Sequence, residues 1–168
     1  MAKQRGLKRI IGITSEKNQS FTNGLDCYDE VLTYDEVKTM NNAQKIMIVD
    51  MAGHYDAMKD LHEHFGDHVK YSCKVGATHL DNLEGDMSQF PGAKPTFFFA
   101  PTQAQKRTEE WGAGEVQKRI GISLKEFQIY SDQWMEISRF KGMKQIKEVF
   151  ESFLAGNISP EIGFIHSI

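Results

Sequence analysis

Short apolar runs, rich in β-branched residues, alternate with amphipathic segments along the chain. Such runs favour strands that are buried in a parallel sheet. Strands are predicted at residues 8–14, 30–33, 45–50, 69–75, 96–100, 134–140 and 162–168. Apolar residues at helical spacing, with glycine or proline at the ends, predict helices at 16–23, 55–65, 102–111, 115–130 and 143–154. This alternation is typical of βαβ units in an α/β protein.

Composition excludes several classes of protein. Hydrophobic residues make up 40% and charged residues 26% of the 168 residues, as expected for a globular protein. The net charge of -3, with acids and bases mixed, argues against a nucleic-acid or anionic-membrane partner. The longest apolar runs are about five residues, far below the roughly 20 that a membrane span needs. With no signal-peptide pattern at the basic N-terminus, we expect a cytoplasmic protein.

Neither the cysteines nor the histidines have the spacing of a metal site. Cys27 and Cys73 are predicted to be free thiols, because their separation matches no CxxC motif. Five histidines lie close together in the sequence but form no HExxH pattern, and we expect solvated side chains at His54, His62, His64, His68 and His79. The sequence has no GxSxG motif and no P-loop, so it assigns no catalytic residue.

Small and polar residues gather where the predicted strands end. In open parallel sheets, ligands bind at these carboxyl ends. The candidates are Thr14, Ser15, Lys17, Asp50, Gly53 and Gly76. Glycine lets a flat ligand approach the backbone closely, although glycines also follow strands simply to make turns.

Ser15 and Lys17 are the most informative of these residues. In a dinucleotide-binding fold, a basic residue at this turn accommodates a 2′-phosphate on the adenosine ribose. The pair therefore matches NADP better than NAD. The alternative is that Ser15 only caps a helix and that Lys17 is a solvated helix residue.

Several separated motifs resemble those of one enzyme superfamily. Residues 11–18, 24–31 and 34–36 resemble the middle of medium-chain dehydrogenase/reductase cofactor domains. Residues 49–53, 71–79, 95–101 and 106–107 resemble a branch of that superfamily known only as a domain of unknown function. The likeness extends nearly the whole length of the chain, to residues 156–160.

The resemblance implies NADP(H) binding in complete relatives, without a catalytic zinc. In those relatives Ser15 and Lys17 match the turn that meets the 2′-phosphate, while residues 50–53 and Gly76 match strand ends that line the cofactor cleft. The implied substrate is a small carbonyl compound or quinone.

The chain departs from this family at the centre of the sheet. The superfamily's strand order is 3-2-1-4-5-6, with a glycine-rich turn after strand 1, and neither that strand nor its loop is present. The predicted fold is thus a partial Rossmann-like parallel sheet flanked by helices (residues 1–132), with a C-terminal strand-helix-strand piece (133–168). Without strand 1, the strands at 8–14 and 45–50 either meet directly or each present an open edge.

These observations lead to three functional hypotheses. The first is a truncated, zinc-independent NADP(H)-dependent reductase-like protein that is inactive alone. The second is a binding or scaffold module that uses the half-sheet, completed by a partner's strand or by a second copy. The third is a weak NADPH-dependent reductase of quinones or enones.

Overall fold

The computed structural model describes residues 5–76 and 85–167. These residues form two compact units, of which the first is Leu7–Ala113 and the second begins at Gly114. The helix that follows Gly114 thus groups with the C-terminal strands, whereas the sequence placed residues up to 132 with the first domain. As a boundary between functional domains, residue 132 stays a prediction.

The described residues of the first unit form five strands and three α-helices. The strands are β1 (Ile11–Thr14), β2 (Glu30–Thr33), β3 (Ile46–Asp50), β4 (Val69–Lys74) and β5 (Thr96–Phe97). The helices are α1 (Glu16–Gly24) after β1, α2 (Tyr55–Phe65) after β3 and α3 (Ala100–Trp111) after β5. A short 3-10 helix, Asp35–Thr39, follows β2.

All strand pairs of this unit are parallel, and they form two sheets. β1 pairs with β2, and the other sheet has the order β3-β4-β5. Within the described residues, no ladder joins β1 to β3. Helices flank these parallel strands, which confirms the predicted α/β class and agrees with a partial Rossmann-like fold. Of the two arrangements predicted for these strands, direct pairing of β1 with β3 is wrong, because no ladder joins them in the described residues.

The core of the first unit lies between α2 and the β3-β4 sheet. Helical spacing places the apolar side chains of α2 on one face. They pack with residues from β3, β4, the 3-10 helix Asp35–Thr39 and the loop before β5, in a cluster of Val37, Ile48, Met58, Leu61, Phe65, Val69 and Phe90. Ile13 of β1 packs against the same cluster, so both sheets share one core.

His62 corrects the prediction that the histidines are solvated. Its side chain is fully buried in α2. Its Nδ1 lies 2.8 Å from the Pro91 carbonyl oxygen and its Nε2 lies 2.9 Å from Ser72 Oγ. The carbonyl accepts only, so Nδ1 carries the proton and Nε2 accepts from the Ser72 hydroxyl. His79 lies outside the described residues.

The strand predicted at 96–100 is also partly wrong. The strand β5 contains Thr96 and Phe97, and Ala100 already begins α3. Pro101 lies in the first turn of that helix, where the missing N–H costs nothing, so it starts the helix rather than merely stopping the strand. Phe97 is 69% exposed, so the strand is not buried.

The second unit confirms the predicted C-terminal strand pair. It contains α4 (Glu115–Ser131), β6 (Glu136–Lys141), α5 (Met143–Leu154) and β7 (Ile162–Ser167). β6 and β7 are parallel, with α5 as the crossover helix. The rings of Phe140 and Phe164 stack at 5.6 Å, and Phe153 of α5 contacts Phe164 edge-on. No described helix combines the length and apolarity needed to cross a membrane.

Candidate functional site at the carboxyl ends of the strands

A polar cavity of about 460 Å³ lies where β1 and β2 end. The first turn of α1 forms one wall, and the chain that leaves β2 forms the other. The cavity is lined by Ser15, Glu16, Gln19, Thr33, Tyr34, Asp35 and Glu36. The turn after β1, which the sequence singled out, is thus part of a concave surface, with Thr14 as the last residue of the strand.

Ser15 occupies the N-cap position of α1 but does not cap it through its side chain. Its backbone is extended (φ -72°, ψ 155°), and its hydroxyl makes no capping hydrogen bond among the described residues. The purely structural explanation of Ser15 is therefore weakened, since a capping serine normally accepts from an N–H of the first turn. Lys17 is exposed in that same turn but does not line the cavity.

Acidic side chains dominate the cavity wall. The Glu36 carboxylate accepts from the Thr33 backbone N–H at 2.8 Å and from Gln19 Nε2 at 3.1 Å. These hydrogen bonds hold the pKa of Glu36 below its usual range, and the bond from Thr33 has the largest effect. Glu16 and Asp35 add further negative charge. A wall of this kind suits hydroxyl or amino donors on a ligand.

Asp50 and Gly53 form a tight turn at the end of β3. Oδ1 of Asp50 accepts from the backbone N–H groups of Ala52 (3.0 Å) and Gly53 (2.8 Å). Gly53 has a φ of +75°, which a residue with a side chain rarely adopts. Asp50 is buried, and its Oδ2 has no hydrogen-bond partner among the described residues. That oxygen is a buried acceptor with unused capacity.

Gly76 follows β4 and lies directly against the turn after β3. Its N–H donates to the Asp50 carbonyl oxygen at 3.2 Å. A Cβ at this position would lie 1.6 Å from the Met51 carbonyl oxygen. Close packing of two backbone segments thus accounts for glycine here without any ligand. The prediction that Gly76 lines a cofactor cleft remains open.

Tyr34 links the two groups of candidate residues. Burial, and then the nearby charge of Asp50, raise the pKa of the Tyr34 phenol, which keeps it protonated as a donor. The Tyr34 and His54 rings lie 4.6 Å apart. His54 Nδ1 accepts from the Ala57 N–H at 3.2 Å and caps α2. The charge of Asp50 thus acts on Tyr34, which lies in the cavity wall that also contains Ser15.

Sequence reasoning missed both Tyr34 and His54. Tyr34 looked like an ordinary turn residue after a short strand, and His54 looked solvated. The one signal available was their position, because each follows a strand in a parallel sheet at the edge where ligands bind. In the described part of the chain, no three His, Cys, Asp or Glu side chains are grouped as metal ligands.

The fold and this polar edge define a parallel α/β protein of Rossmann-like type. The chain belongs to the family described as protein of unknown function (DUF2855), whose profile matches residues 1–159. No curated protein and no solved structure matches the chain significantly. The resemblance to medium-chain dehydrogenases/reductases therefore stays a prediction.

Proposed function

We propose that this chain is part of a zinc-independent, NADP(H)-dependent reductase-like protein and has no catalytic activity alone. The observation that supports the proposal is the Ser15 hydroxyl, uncommitted to capping, in the wall of a cavity at the carboxyl ends of parallel strands. Lys17 lies two residues further in the same turn. This is where such sheets meet the adenosine ribose.

The absence of a glycine-rich loop explains why activity is not expected. A pyrophosphate normally binds such a loop and the helix N-terminus after it. The sequence has no loop of this kind after a strand. The chain retains the elements that match the adenosine side of a cofactor site, and it supplies no assigned proton donor for a carbonyl or quinone substrate.

The residues around the cavity make opposing predictions about whether NADP or NAD binds. Ser15 and Lys17 favour a 2′-phosphate, whereas Glu16, Asp35 and Glu36 favour the free ribose hydroxyls. Lys17 outweighs these acidic side chains in the proposed site, because its flexible ammonium group extends from the first turn of α1 toward a phosphate at the rim of the cavity.

Adenosine 2′,5′-bisphosphate is expected to bind this chain about tenfold more tightly than adenosine 5′-monophosphate. Both probes carry the adenosine, and neither needs the missing pyrophosphate loop. The affinities would be measured by isothermal titration calorimetry or by ligand-observed NMR. The substitution Lys17→Ala should remove the difference between the two probes.

Lys8→Ala is the matched control, because Lys8 carries the same charge before β1, away from its carboxyl end. It should leave both affinities unchanged. Equal affinity of the two probes in the unmodified chain would reject the NADP preference. If both lysine variants lost the same amount of affinity, the affinity would depend only on the net charge of the chain.

The purified chain is expected not to oxidise NADPH with quinones or enones above the rate without protein. The assay follows NADPH absorbance with a simple benzoquinone and a simple enone. Turnover at an ordinary enzyme rate, on the order of 1–1000 per second, would overturn the proposal in favour of an active NADPH-dependent reductase.

A second candidate function is a binding module that uses the half-sheet. The specific observation in its favour is that β1-β2 and β3-β4-β5 share a core but no ladder within the described residues. Open edges of this kind are templates for pairing with another chain. Binding of a polypeptide to the chain, measured without any nucleotide, tests this candidate.

A further inference from the structure

We propose that helix α4 is a docking surface for a second copy of this chain, and that the two α4 helices pair antiparallel across a two-fold axis. The inference concerns the second unit by itself. It goes beyond the proposed function, because it is independent of whether the chain binds a nucleotide.

The middle of α4 exposes large apolar side chains. Helical spacing places Val116, Ile120, Leu124 and Phe127 on one side of the helix, which we call the α4 stripe. Val116 is buried, whereas Ile120, Leu124 and Phe127 are 58%, 53% and 40% exposed. A surface helix normally turns such a stripe towards the core of its own domain. A contiguous exposed apolar patch is instead typical of a protein–protein contact.

Polar residues on the flanks of the α4 stripe are arranged symmetrically along the helix. At about 100° per residue, Arg119 and Glu126 lie on one flank of the stripe. Gln117 and Gln128 lie on the other flank. Both pairs have the same midpoint, between positions 122 and 123. The flanks of α4 are therefore self-complementary when one helix is reversed against another.

This symmetry identifies a second copy of the same helix as the partner. Antiparallel helices related by a two-fold axis bring the same flank of each copy together, and each contact then occurs twice. With the axis at the shared midpoint, Arg119 lies opposite Glu126 of the second copy, and the glutamines on the other flank face each other. Guanidinium and carboxylate groups form charge-assisted hydrogen bonds. Two side-chain amides can exchange hydrogen bonds.

The bond that Arg119 makes within its own helix is compatible with this contact. Its Nε donates to Oε1 of Glu115 at 2.8 Å. A guanidinium group has five N–H donors in a planar fork, so one carboxylate does not use all of them. Arg119 can therefore bridge Glu115 of its own chain and Glu126 of the second copy.

The α4 stripe drives the association, and the charged flank fixes its direction. Apolar burial is the dominant favourable term in most protein association, whereas exposed ion pairs contribute little. A parallel pair of helices would place the charged flank against the glutamines and leave its charges without opposite partners. One face of a 17-residue helix is smaller than a standard interface. We therefore expect a weak dimer, with a Kd on the order of 10 to 100 µM.

Sedimentation velocity of the whole chain, above and below this concentration range, measures the association. Leu124→Glu places a charge in the middle of the α4 stripe and should weaken the dimer at least about tenfold. Leu154→Glu is the matched control, because Leu154 is an exposed leucine of α5 in the same unit. It should leave the dimer unchanged. Circular dichroism checks that both variants are folded.

Charge reversal tests the antiparallel arrangement. Arg119→Glu places a carboxylate opposite Glu126 of the second copy at both symmetry-related contacts, and should weaken the dimer about tenfold. Adding Glu126→Arg to the same chain restores opposite charges and should restore the affinity. The double variant still lacks the bond between Arg119 and Glu115, so its recovery would not come from a more stable helix.

The expected result is a concentration-dependent dimer that Leu124→Glu disrupts, Leu154→Glu preserves and the double charge reversal restores. A monomer at every concentration would overturn the proposal. Equal weakening by the two leucine variants would also overturn it, since the association would then be non-specific. A double variant as weak as Arg119→Glu alone would exclude the antiparallel pairing and reject the proposal as well.

Discussion

Gly76→Ala is expected to destabilise the first unit by about 3 kcal/mol. The new Cβ would lie 1.6 Å from the Met51 carbonyl oxygen and 2.6 Å from the Met51 carbonyl carbon. Both are backbone atoms, so no side-chain rotation relieves the clash. The turn after β3 must move instead, which strains the hydrogen bonds that Asp50 makes with Ala52 and Gly53. Urea unfolding followed by circular dichroism measures the loss.

Gly24→Ala is the matched control for this experiment. Gly24 ends α1 in the same unit, and a Cβ there meets nothing within 4 Å. Alanine also has the higher helix propensity, so this variant should be as stable as the unmodified chain or slightly more stable. A loss below about 0.5 kcal/mol for Gly76→Ala would contradict the contact between the two turns.

The second large effect concerns pH. The free energy of unfolding of the first unit should fall as the pH drops below about 6.5, by up to about 1.4 kcal/mol per pH unit. Burial lowers the pKa of His62, against the opposing effect of its hydrogen bond to the Pro91 carbonyl, and the charge of Lys94 lowers it further. The neutral form also fits the structure, because its single N–H is used by that carbonyl.

The sign follows from the protons bound in each state. Below about pH 6.5, His62 is protonated in the unfolded chain, while in the folded chain it stays neutral down to its lowered folded-state pKa. The unfolded state thus binds more protons in this window, and stability rises with pH through it. Above the window both states are neutral and the contribution is constant. Urea midpoints between pH 5 and 8 measure the slope.

Two variants separate the contribution of His62 to the pH dependence of stability from that of other titrating groups. His62→Gln removes the titrating group, so the slope should flatten even though the variant is less stable at neutral pH. His68→Gln removes an exposed histidine three residues after the end of α2 and should keep the full slope. An unchanged slope in His62→Gln would assign the pH dependence to other groups.

Local pattern was sufficient to predict most elements of the fold. The apolar spacing in α2 and α5 and the β-branched runs of β1 and β3 agree with the structure to within a few residues. The prediction failed where distant residues decide the outcome. His62 is buried because Ser72 and Pro91 satisfy its ring nitrogens from another strand and from a loop, and no local pattern contains that information.

The candidate site was also predictable only in part, because some of its features depend on contacts between distant residues. The rule that ligands bind at the carboxyl ends of parallel strands located Ser15 in a cavity wall and Asp50 in a buried turn. It did not reveal that the charge of Asp50 acts on Tyr34, because that effect depends on how two unjoined sheets are aligned. Nor did it reveal the acidic lining, which comes from both sides of the cavity.

The separation of the sheets also divides the folding of the first unit into two local problems. β1 pairs with β2 across α1, and β3 pairs with β4 across α2, so each ladder closes a short stretch of chain. Closing a shorter stretch of chain costs less entropy than bringing the two halves together. We therefore expect each ladder to form early and the alignment of Tyr34 with Asp50 to come last. The packing between the β1-β2 sheet and the β3-β4-β5 sheet would then be the last part of this unit to form.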